Sequence, residues 1–343
     1  MSYNKGKTTI YDVAARAGVA ISTVSRVLNK SNDVSDITRE KVMRAISELQ
    51  FRPHRTAKIL AQKQSDSLFI ALPSFTTPYH NSVLKGVRSR IREEELDLIL
   101  FDLGSEDPRA KLLDFLRRGA VEGLILVLHV DDEMVEELAT LRAPVIILGE
   151  NCAQFDCYYW DEATGAKNAV KHLIEQGHKN IGLITSPFDE DRVMETRMSG
   201  YYSALKDAGM EVDESLIKHG VTEKHAGISE ESGYEAMEML LNHEKDVTAV
   251  FALSDAQAIG AWHAIRNTGR TVPEDIAIVG YGDIKTSRYI GLSSVDLKLQ
   301  EIGHQATDVM IQRLTKQIKQ DEMKNVLIIP ELQVRRSSLH KRS

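Results

Sequence analysis

The sequence is poor in cysteine, with only Cys152 and Cys157 among 343 residues. Neither lies near further cysteines or histidines at the spacing of a zinc site. We therefore expect two buried free thiols, with a metal or redox role as the less favoured alternative. We expect no metal and no cofactor.

Long apolar runs are also missing. No run approaches the ~20 residues that a membrane-crossing helix needs, and the N-terminus has no apolar signal core. We expect a cytoplasmic protein with no membrane partner. The chain is nevertheless 42% apolar, and a chain of this length and composition can bury the cores of two or three domains.

The charge is spread unevenly along the chain. The formal net charge is −7, but residues 1–64 hold twelve Lys and Arg against five Asp and Glu, a net of +7. The remaining 279 residues therefore carry −14. A small basic head on an acidic body predicts that only the head meets a polyanion.

Three short segments of the head carry apolar residues at helical spacing. Gly18 can take the positive φ of a tight turn between the first two segments, and Ser35 and Asp36 are good N-caps for the third. The pattern describes a helix-turn-helix unit, although a three-helix bundle that binds nothing fits the periodicity equally well. The apolar sets are Ile10, Val13, Ala14 and Ala17; Val24, Val27 and Leu28; and Val42, Ala45, Ile46 and Leu49.

Polar residues of the second segment favour the DNA-binding alternative. Thr23, Ser25, Arg26 and Asn29 fall on the face opposite its apolar set. Hydroxyls, an amide and a guanidinium on one helix face can meet phosphates and base edges. Tyr11 can add a contact from the first helix.

The stretch "YDVAARAGVAISTVSRVLN" resembles the headpiece of the LacI–GalR family of bacterial repressors, and the resemblance continues through "VSDITREKVMRAISELQFRPHRTAKILAQKQS". It implies that Ile21 and Ser22 open the recognition helix and choose the operator, and that Arg26 reads guanine. Ile21 has an alternative place in the core, but contact with a thymine methyl group is the favoured role. Ala20 departs from the family, which often has a capping serine there. The residues that the resemblance assigns mainly to phosphates are Thr23, Ser25, Asn29, Ser35 and Thr38.

Residues 52–62, "RPHRTAKILAQ", resemble the hinge helix of the same family. Leu60 matches the leucine that the family wedges into the minor groove at the operator centre. The small Ala57 and Ala61 let the helix approach its twin and the DNA closely, and Arg55 is a further expected DNA contact. A flexible linker is the alternative, but the helical spacing of the apolar residues speaks against it.

From Ser67 onward, seven apolar runs alternate with amphipathic stretches. Such alternation predicts open parallel sheets with helices on their faces, and this length predicts two sheets with a ligand site between them at the carboxyl ends of the strands. We expect each run to be a buried strand. The runs are "LFIAL" at 68, "LDLILF" at 96, "GLILVL" at 123, "VIIL" at 145, "IGLIT" at 181, "AVFAL" at 249 and "IAIVG" at 276.

The body resembles the periplasmic-binding-protein-like effector domain of the family in the segments "HLIEQGHKNIGLITSP", "TRMSGYYSALKDAG", "TAVFALSDAQAIGAW" and "VPEDIAIVGYGD". In the family the chain crosses between two subdomains three times, which here falls near Asp161, Val295 and Asn325. The implied domains are a headpiece at 8–52, a hinge helix and linker at 53–64 and an effector and dimerisation domain at 65–343. The implied subdomains are an N-subdomain at about 66–161 plus 296–324 and a C-subdomain at about 162–295 plus 325–343.

The resemblance also implies residues that bind an effector. Arg197 matches an arginine that family members aim at their ligand, and a guanidinium suits paired hydroxyls, a carboxylate or a phosphate; a solvated helix residue is the alternative. Sugar-responsive members often carry Asn-Asp where this chain has Ser254 and Asp255. They also carry an aspartate where this chain has Gly282, and Asp283 follows at a position more often structural. These departures count against a carbohydrate effector.

The loop "PSFTTPYHN", residues 73–81, resembles the family's cleft wall after the first strand. Three of its side chains can touch a ligand, and two aromatic residues elsewhere offer stacking faces. Burial in the core is the alternative for each. These candidates are Ser74, Phe75 and Tyr79 in the loop, with Trp160 and Tyr281 outside it.

Together these features predict an all-α helix-turn-helix headpiece with a hinge helix, followed by an α/β periplasmic-binding-protein-like domain of two parallel-sheet subdomains. We expect a homodimeric, sequence-specific repressor whose affinity for a pseudo-palindromic double-stranded DNA operator is modulated by a small-molecule effector. A sugar or sugar derivative is one candidate effector. A regulator without effector control is one alternative, and an enzyme on the α/β body is another. The enzyme is disfavoured because the sequence has no nucleophile elbow, P-loop or dinucleotide fingerprint.

Overall fold

A computed structural model describes residues 8–28, 33–49, 51, 67–94, 96–104, 107–118, 121–187, 192–225, 227–244, 246–319 and 322–339. The chain forms two compact units, residues 1–65 and 66–343. Asn29 and the hinge candidates Arg55, Ala57, Leu60 and Ala61 lie outside the described residues.

The first unit consists of three helices, α1 (Ile10–Ala17), α2 (Ile21–Leu28) and α3 (Asp36–Glu48). Helix α1 begins at a capping box between Thr9 and Asp12 and ends at Gly18, whose φ of 66° is left-handed. Ser35 caps α3, because its side chain accepts a hydrogen bond from the Thr38 amide. The predicted helices are confirmed, and their buried core consists of Val13, Ala14, Val24, Val27, Val34, Val42, Ala45 and Phe51.

The second unit is built on two six-stranded sheets. Its strands are β1 (Ser67–Leu72), β2 (Asp97–Asp102), β3 (Leu124–Leu126), β4 (Val145–Leu148), β5 (Asp156–Trp160), β6 (Ile181–Ile184), β7 (Ile217–Lys218), β8 (Ala249–Ala252), β9 (Ala277–Tyr281), β10 (Ser293–Asp296), β11 (Asn325–Ile328) and β12 (Glu331–Gln333). The first sheet has the order β11-β5-β4-β3-β1-β2 and is parallel throughout. The second has the order β12-β10-β9-β8-β6-β7, and its edge strand β12 runs antiparallel to β10.

Helices connect and cover these strands, which is the α/β arrangement predicted for the body. They are α4 (Pro78–Ile91), α5 (Pro108–Arg118), α6 (Asp132–Ala139), α7 (Glu162–Glu175), α8 (Arg192–Asp207), α9 (Glu230–Leu241), α10 (Asp255–Asn267), α11 (Lys285–Ile290) and α12 (Leu299–Leu314). Short 3₁₀ turns lie at Glu214–Leu216 and Arg336–Ser338. Within the described ranges, no helix is long and apolar enough to span a bilayer.

All seven apolar runs are strands in the structure, which confirms the α/β prediction. The expectation of burial is wrong for β2, where Ile99 and Leu100 remain 39% and 44% exposed. The reason is that β2 lies at the edge of its sheet and has a strand neighbour on one side only. Cys152 and Cys157 are both free and buried, as predicted.

The chain passes between the two sheets three times, but the third passage is later than predicted. Strand β11 pairs with β5 in the first sheet, matching Asn325–Ile328 to Cys157–Trp160. Strand β12 then joins the second sheet. Assigning residues 325–328 to the C-subdomain is therefore wrong, and the third crossing follows Ile328.

Helices α4 and α12 approach each other too closely for side chains at their contact. A Cβ atom on Gly86 would lie 2.0 Å from the Gln300 carbonyl oxygen, and one on Gly303 would lie 2.3 Å from the Val83 carbonyl oxygen. Both distances are far below van der Waals contact, and the opposing atoms belong to the backbone. Glycine at these two positions therefore sets the distance between the helices.

We predict that Gly86→Ala lowers the free energy of unfolding by ~1–3 kcal/mol, because the new methyl group overpacks a rigid backbone contact. An alanine in a helix that lacked this contact would instead gain ~0.5–1 kcal/mol. Urea unfolding measures the difference, with Lys85→Ala on the exposed side of the same helix as the control. A stability at or above that of the wild type would contradict the close approach.

Candidate DNA-binding surface and ligand cleft

Helix α2 buries one face and presents the other to solvent. Val24 and Val27 are buried in the headpiece core. Ser22 and Arg26 are exposed, and Ile21 is 41% exposed, which places it outside the core. The exposed face thus offers a hydroxyl, a guanidinium and an apolar side chain together, as reading a major groove requires. Thr23 and Ser25 are partly buried at its margins.

The remaining described headpiece candidates lie near helix ends. Tyr11, in the first turn of α1, is 67% exposed. Ser35 and Thr38 are at the start of α3, with their hydroxyl oxygens 2.9 Å apart. The N-terminal end of a helix attracts phosphate through its free amides and its dipole. The α3 start can therefore hold a phosphate, as the family resemblance implies.

In the second unit, a buried ion pair lies where the strands of the second sheet end. Arg197 of α8 donates to Glu162 of α7 from Nε to Oε2 at 2.9 Å and from Nη2 to Oε1 at 3.2 Å. Its Nη1 donates to the Leu253 carbonyl oxygen at 2.8 Å. The side chains of Arg197 and Glu162 are only 6% and 8% exposed. The alternative of a solvated Arg197 is therefore wrong.

Tyr281 completes this cluster from the end of β9. Its ring centroid lies 4.0 Å from the Arg197 guanidinium carbon, and its hydroxyl donates to the Glu162 carbonyl oxygen at 3.2 Å. Burial opposes the charged form of Arg197, but Glu162, Tyr281 and Tyr79 together outweigh that effect and raise the pKa of the guanidinium. Burial, and then Glu162, raise the pKa of Tyr281. Tyr79 lies close enough to act electrostatically on both residues.

Asp255 accepts three hydrogen bonds from within the protein. The donors are the Ser294 hydroxyl at 2.6 Å, the Ser287 hydroxyl at 2.7 Å and the Ile284 amide at 2.8 Å. The residue is only 1% exposed. Burial raises its pKa to about 6, although the three hydrogen bonds act to lower it. The preceding Ser254 caps α10. Asp255 thus joins the segments around β9 and β10, while Ser254 stabilises the start of its own helix.

Asp283 is also used internally. Its carboxylate pairs with Arg335 at 2.6 Å and with Arg288 at 3.0 Å. Gly282 before it takes a φ of 118°, a conformation that favours glycine. Trp160 is buried as well, and its Nε1 donates to the Leu297 carbonyl oxygen at 2.8 Å, which links two of the segments that run between the sheets.

The loop after β1 forms a more open wall. Phe75 is 40% exposed, the Ser74 hydroxyl lies 2.8 Å from that of Thr76, and Tyr79 packs its ring edge against His80. Sequence reasoning missed His80 as well as Glu162. Neither residue could be recognised from its local sequence, because the groups that act on it lie in other elements of the fold.

His80 is uncharged at neutral pH. Burial and the neighbouring His225 lower its pKa to about 4, although Asp102 and the Ser74 backbone oppose the shift. Its Nδ1 lies 2.7 Å from the Thr77 hydroxyl, which also accepts the His80 amide.

A second ion pair joins a residue that follows a strand of the first sheet to a helix that is connected to the second sheet. Glu150, just beyond β4, lies 3.4 Å from Arg192 in the first turn of α8. The same carboxylate accepts the Val130 amide at 3.0 Å and lies 2.6 Å from Nδ1 of His129. Arg192 is 70% exposed, so this pair is weaker than the buried one.

Comparison with known proteins identifies the class. Residues 9–54 match the model of the bacterial regulatory proteins of the lacI family, and residues 170–338 match a periplasmic binding protein-like domain. The chain is 34% identical to the HTH-type transcriptional regulator CelR of Thermobifida fusca, over 90% of this chain and 92% of that protein. This protein therefore belongs to the lacI family of bacterial regulatory proteins.

Further relatives agree with that assignment. The HTH-type transcriptional repressor PurR of Haemophilus influenzae (strain PittEE) is 31% identical over 96% of this chain and 98% of its own. A lac repressor dimer bound to operator and the anti-inducer ONPF superposes with a TM-score of 0.83 at 28% identity, covering 98% of this chain and 100% of that one. A CelR–cellobiose complex gives a TM-score of 0.68 at 32% identity, with 96% and 100% covered.

We predict that the wild type loses stability as the pH falls from 6.5 towards 4, and that His80→Gln loses less over the same range. The pKa of His80 drops from its ordinary 6.5 to about 4 on folding, so the unfolded chain binds the proton more readily in this window. Asp255 has the opposite sign, but it is present in both proteins and cancels in the difference. Urea midpoints at pH 4.5, 5.5 and 7 measure the effect, and parallel pH profiles would contradict it.

Proposed function

We propose that this protein is a homodimeric DNA-binding repressor whose operator affinity is controlled by a small molecule bound between its two sheets. The observation that carries the proposal is the exposed polar face of α2 on a packed helix-turn-helix unit. The net charge of +7 over residues 1–64 supplies the attraction to phosphate. Two headpieces per dimer call for a pseudo-palindromic operator.

Roles in the headpiece follow from exposure and chemistry. Ile21, Ser22 and Arg26 read base edges, while Thr23, Ser25, Ser35, Thr38 and Tyr11 position the helix on the backbone. For the hinge at 53–64 and for Asn29 the support is the sequence resemblance alone. There, the resemblance has Leu60 wedge into the minor groove at the operator centre, Ala57 and Ala61 allow the close approach of the hinge helix, and Arg55 contact the DNA.

The ligand lies at the carboxyl ends of the strands, the usual site in open α/β sheets. Phe75 and Tyr79 line it from the first sheet, and Arg197 with Tyr281 does so from the second. The relatives with a cellobiose and an ONPF complex support a sugar or sugar derivative as the ligand. Ser254, Asp255, Asp283 and Trp160 act behind this surface, because their polar atoms are bonded within the protein.

The protein acts on chromosomal DNA, so we place it in the cytoplasm. We assign it no enzymatic activity, which agrees with relatives named as regulators. A regulator without effector control is the second candidate, and the internal use of Asp255 and Asp283 favours it. Bound duplexes are selected from a random pool, first without ligand and then with each sugar of a panel. A change in binding with a sugar separates the effector-controlled repressor from the regulator without effector control. A pool that yields no palindromic site would reject the proposal.

We predict that Arg26→Ala weakens operator binding by ~1–3 kcal/mol and relaxes preference at one base pair in each half-site, because a bidentate contact to guanine is lost. Fluorescence anisotropy on the selected operator and its single-base variants measures both effects. Arg44→Ala, whose side chain is 85% exposed on α3, controls for the loss of one positive charge. Equal weakening on every duplex would show that Arg26 contacts phosphate only.

We predict that the double variant Glu162→Gln with Arg197→Met binds operator like the wild type but no longer responds to the ligand. Removing both charges avoids the ~3–5 kcal/mol penalty of leaving one buried charge unpaired. Operator titrations with and without ligand measure the response, and Arg192→Met controls for the loss of an exposed arginine nearby. A double variant that responds at the wild-type ligand concentration would remove Arg197 from the site.

A further inference from the structure

We infer that Glu162 makes the ligand cleft select an uncharged ligand, by compensating the buried Arg197 guanidinium, which would otherwise attract an anion. The inference rests on the proposed function, because it concerns the ligand of the same cleft. It concerns the charge of the ligand. The family resemblance does not decide this charge, because paired hydroxyls, a carboxylate and a phosphate all suit the Arg197 guanidinium.

The donors of Arg197 are largely occupied. Nε and one hydrogen of Nη2 go to the Glu162 carboxylate, and one hydrogen of Nη1 goes to the Leu253 carbonyl oxygen. A guanidinium has five N–H groups, so two remain. Glu162 fills the Nε/Nη2 edge, one of the two edges of the guanidinium that can hold a carboxylate or phosphate in two parallel bonds. The two remaining N–H groups, one on Nη1 and one on Nη2, can donate to hydroxyl or ether oxygens.

The charge of Arg197 is compensated as well. Glu162 lies at hydrogen-bond distance and is as deeply buried as the arginine itself. In a buried site an incoming anion would therefore meet the repulsion of this carboxylate at nearly the same distance as the attraction of the cation. It would also lose its hydration without a free counter-charge, which is costly.

Neighbouring groups do not restore a positive potential. Arg192 is paired with Glu150, and His80 is neutral near pH 7 because its pKa lies at about 4. The His80 ring also hydrogen-bonds to the Ser74 backbone, and it adds no positive charge to the cleft at this pH. The two remaining N–H groups of Arg197 and the Phe75 and Tyr79 rings form a surface for hydroxyl groups on an apolar ring face.

A purely structural role for Glu162 makes a different prediction. If the carboxylate only stabilised α7 and α8, its removal would change stability and leave anion binding unaltered. If it sets charge selectivity, Glu162→Gln exposes the Arg197 charge and creates an anion site. Anion binding is therefore the readout that separates the two roles.

The test uses inorganic phosphate as the probe, titrated at constant ionic strength against sodium chloride with the full-length protein. Thermal unfolding is followed for the wild type, Glu162→Gln, and the double variant Glu162→Gln with Arg197→Met. We expect a saturable rise in Tm for Glu162→Gln alone, with an apparent affinity roughly tenfold or more above the wild type. The double variant should follow the wild type.

Two results would overturn the inference. In the first, the wild type binds phosphate saturably and the double variant Glu162→Gln with Arg197→Met does not. The other is a Glu162→Gln variant whose response matches the double variant. Glu162→Gln leaves the buried Arg197 cation without its counter-charge, which lowers stability. The refolding yield of this variant in phosphate and in chloride is therefore the second measurement. Phosphate should raise the yield, and equal yields would also count against the inference.

A parallel arm keeps this test distinct from the proposed function. It compares cellobiose with its aldonic acid, two ligands that differ mainly in charge, on the wild type. Tighter binding of the acid would overturn the inference. If neither cellobiose nor its acid stabilises the wild type, both are excluded as the ligand of the proposed function. The phosphate titration then still decides whether Glu162 sets the charge selectivity.

Discussion

A buried charge must be compensated where it lies, and the pairing of Arg197 with Glu162 is the interaction on which the proposed ligand cleft depends. It connects the start of α7, which directly follows β5 of the first sheet, to α8 of the second. Tyr281 stacks on the guanidinium and bonds to the Glu162 backbone, so the end of β9 belongs to the same unit. Any ligand that engages Arg197 therefore acts on elements that lead to both sheets.

The rest of the cleft follows from the same rule for buried polar groups. Asp255 is compensated by hydroxyls and an amide, and Asp283 by two arginines. These carboxylates are therefore bonded to the strands and loops of the second sheet itself. Helices α7 and α8 pack closely, since a Cβ atom on Gly200 would lie 2.4 Å from the Ala163 carbonyl oxygen.

Local chemistry made much of the fold predictable. The helices of the headpiece could be predicted from the spacing of their apolar residues, from the Ser35 cap and from Gly18, because capping depends on neighbouring residues. Seven strands could be read from apolar runs. Strands such as β10 and β12, "SSVD" and "ELQ", were missed because their pairing depends on distant partners rather than on their own composition.

The site was less predictable for the same reason. Arg197 was recognised by resemblance, but Glu162 is 35 positions away in the sequence, and nothing in its local pattern announces a partner. The lowered pKa of His80 likewise depends on burial and on His225 from another loop. The sequence could thus propose Arg197 for the cleft, while the carboxylate that compensates its charge could be found only in the folded chain.

Reciprocal coupling between operator and ligand tests the central claim most directly. The selected operator is titrated with the full-length dimer at several concentrations of the ligand found by the sugar panel, and the ligand is titrated with and without saturating operator. Linkage requires that each partner change the affinity of the other by the same factor, and the account predicts a factor of about 5 to 150 in both directions, the usual range for allosteric coupling. Operator affinity that stays constant while the cleft fills with ligand would contradict the account.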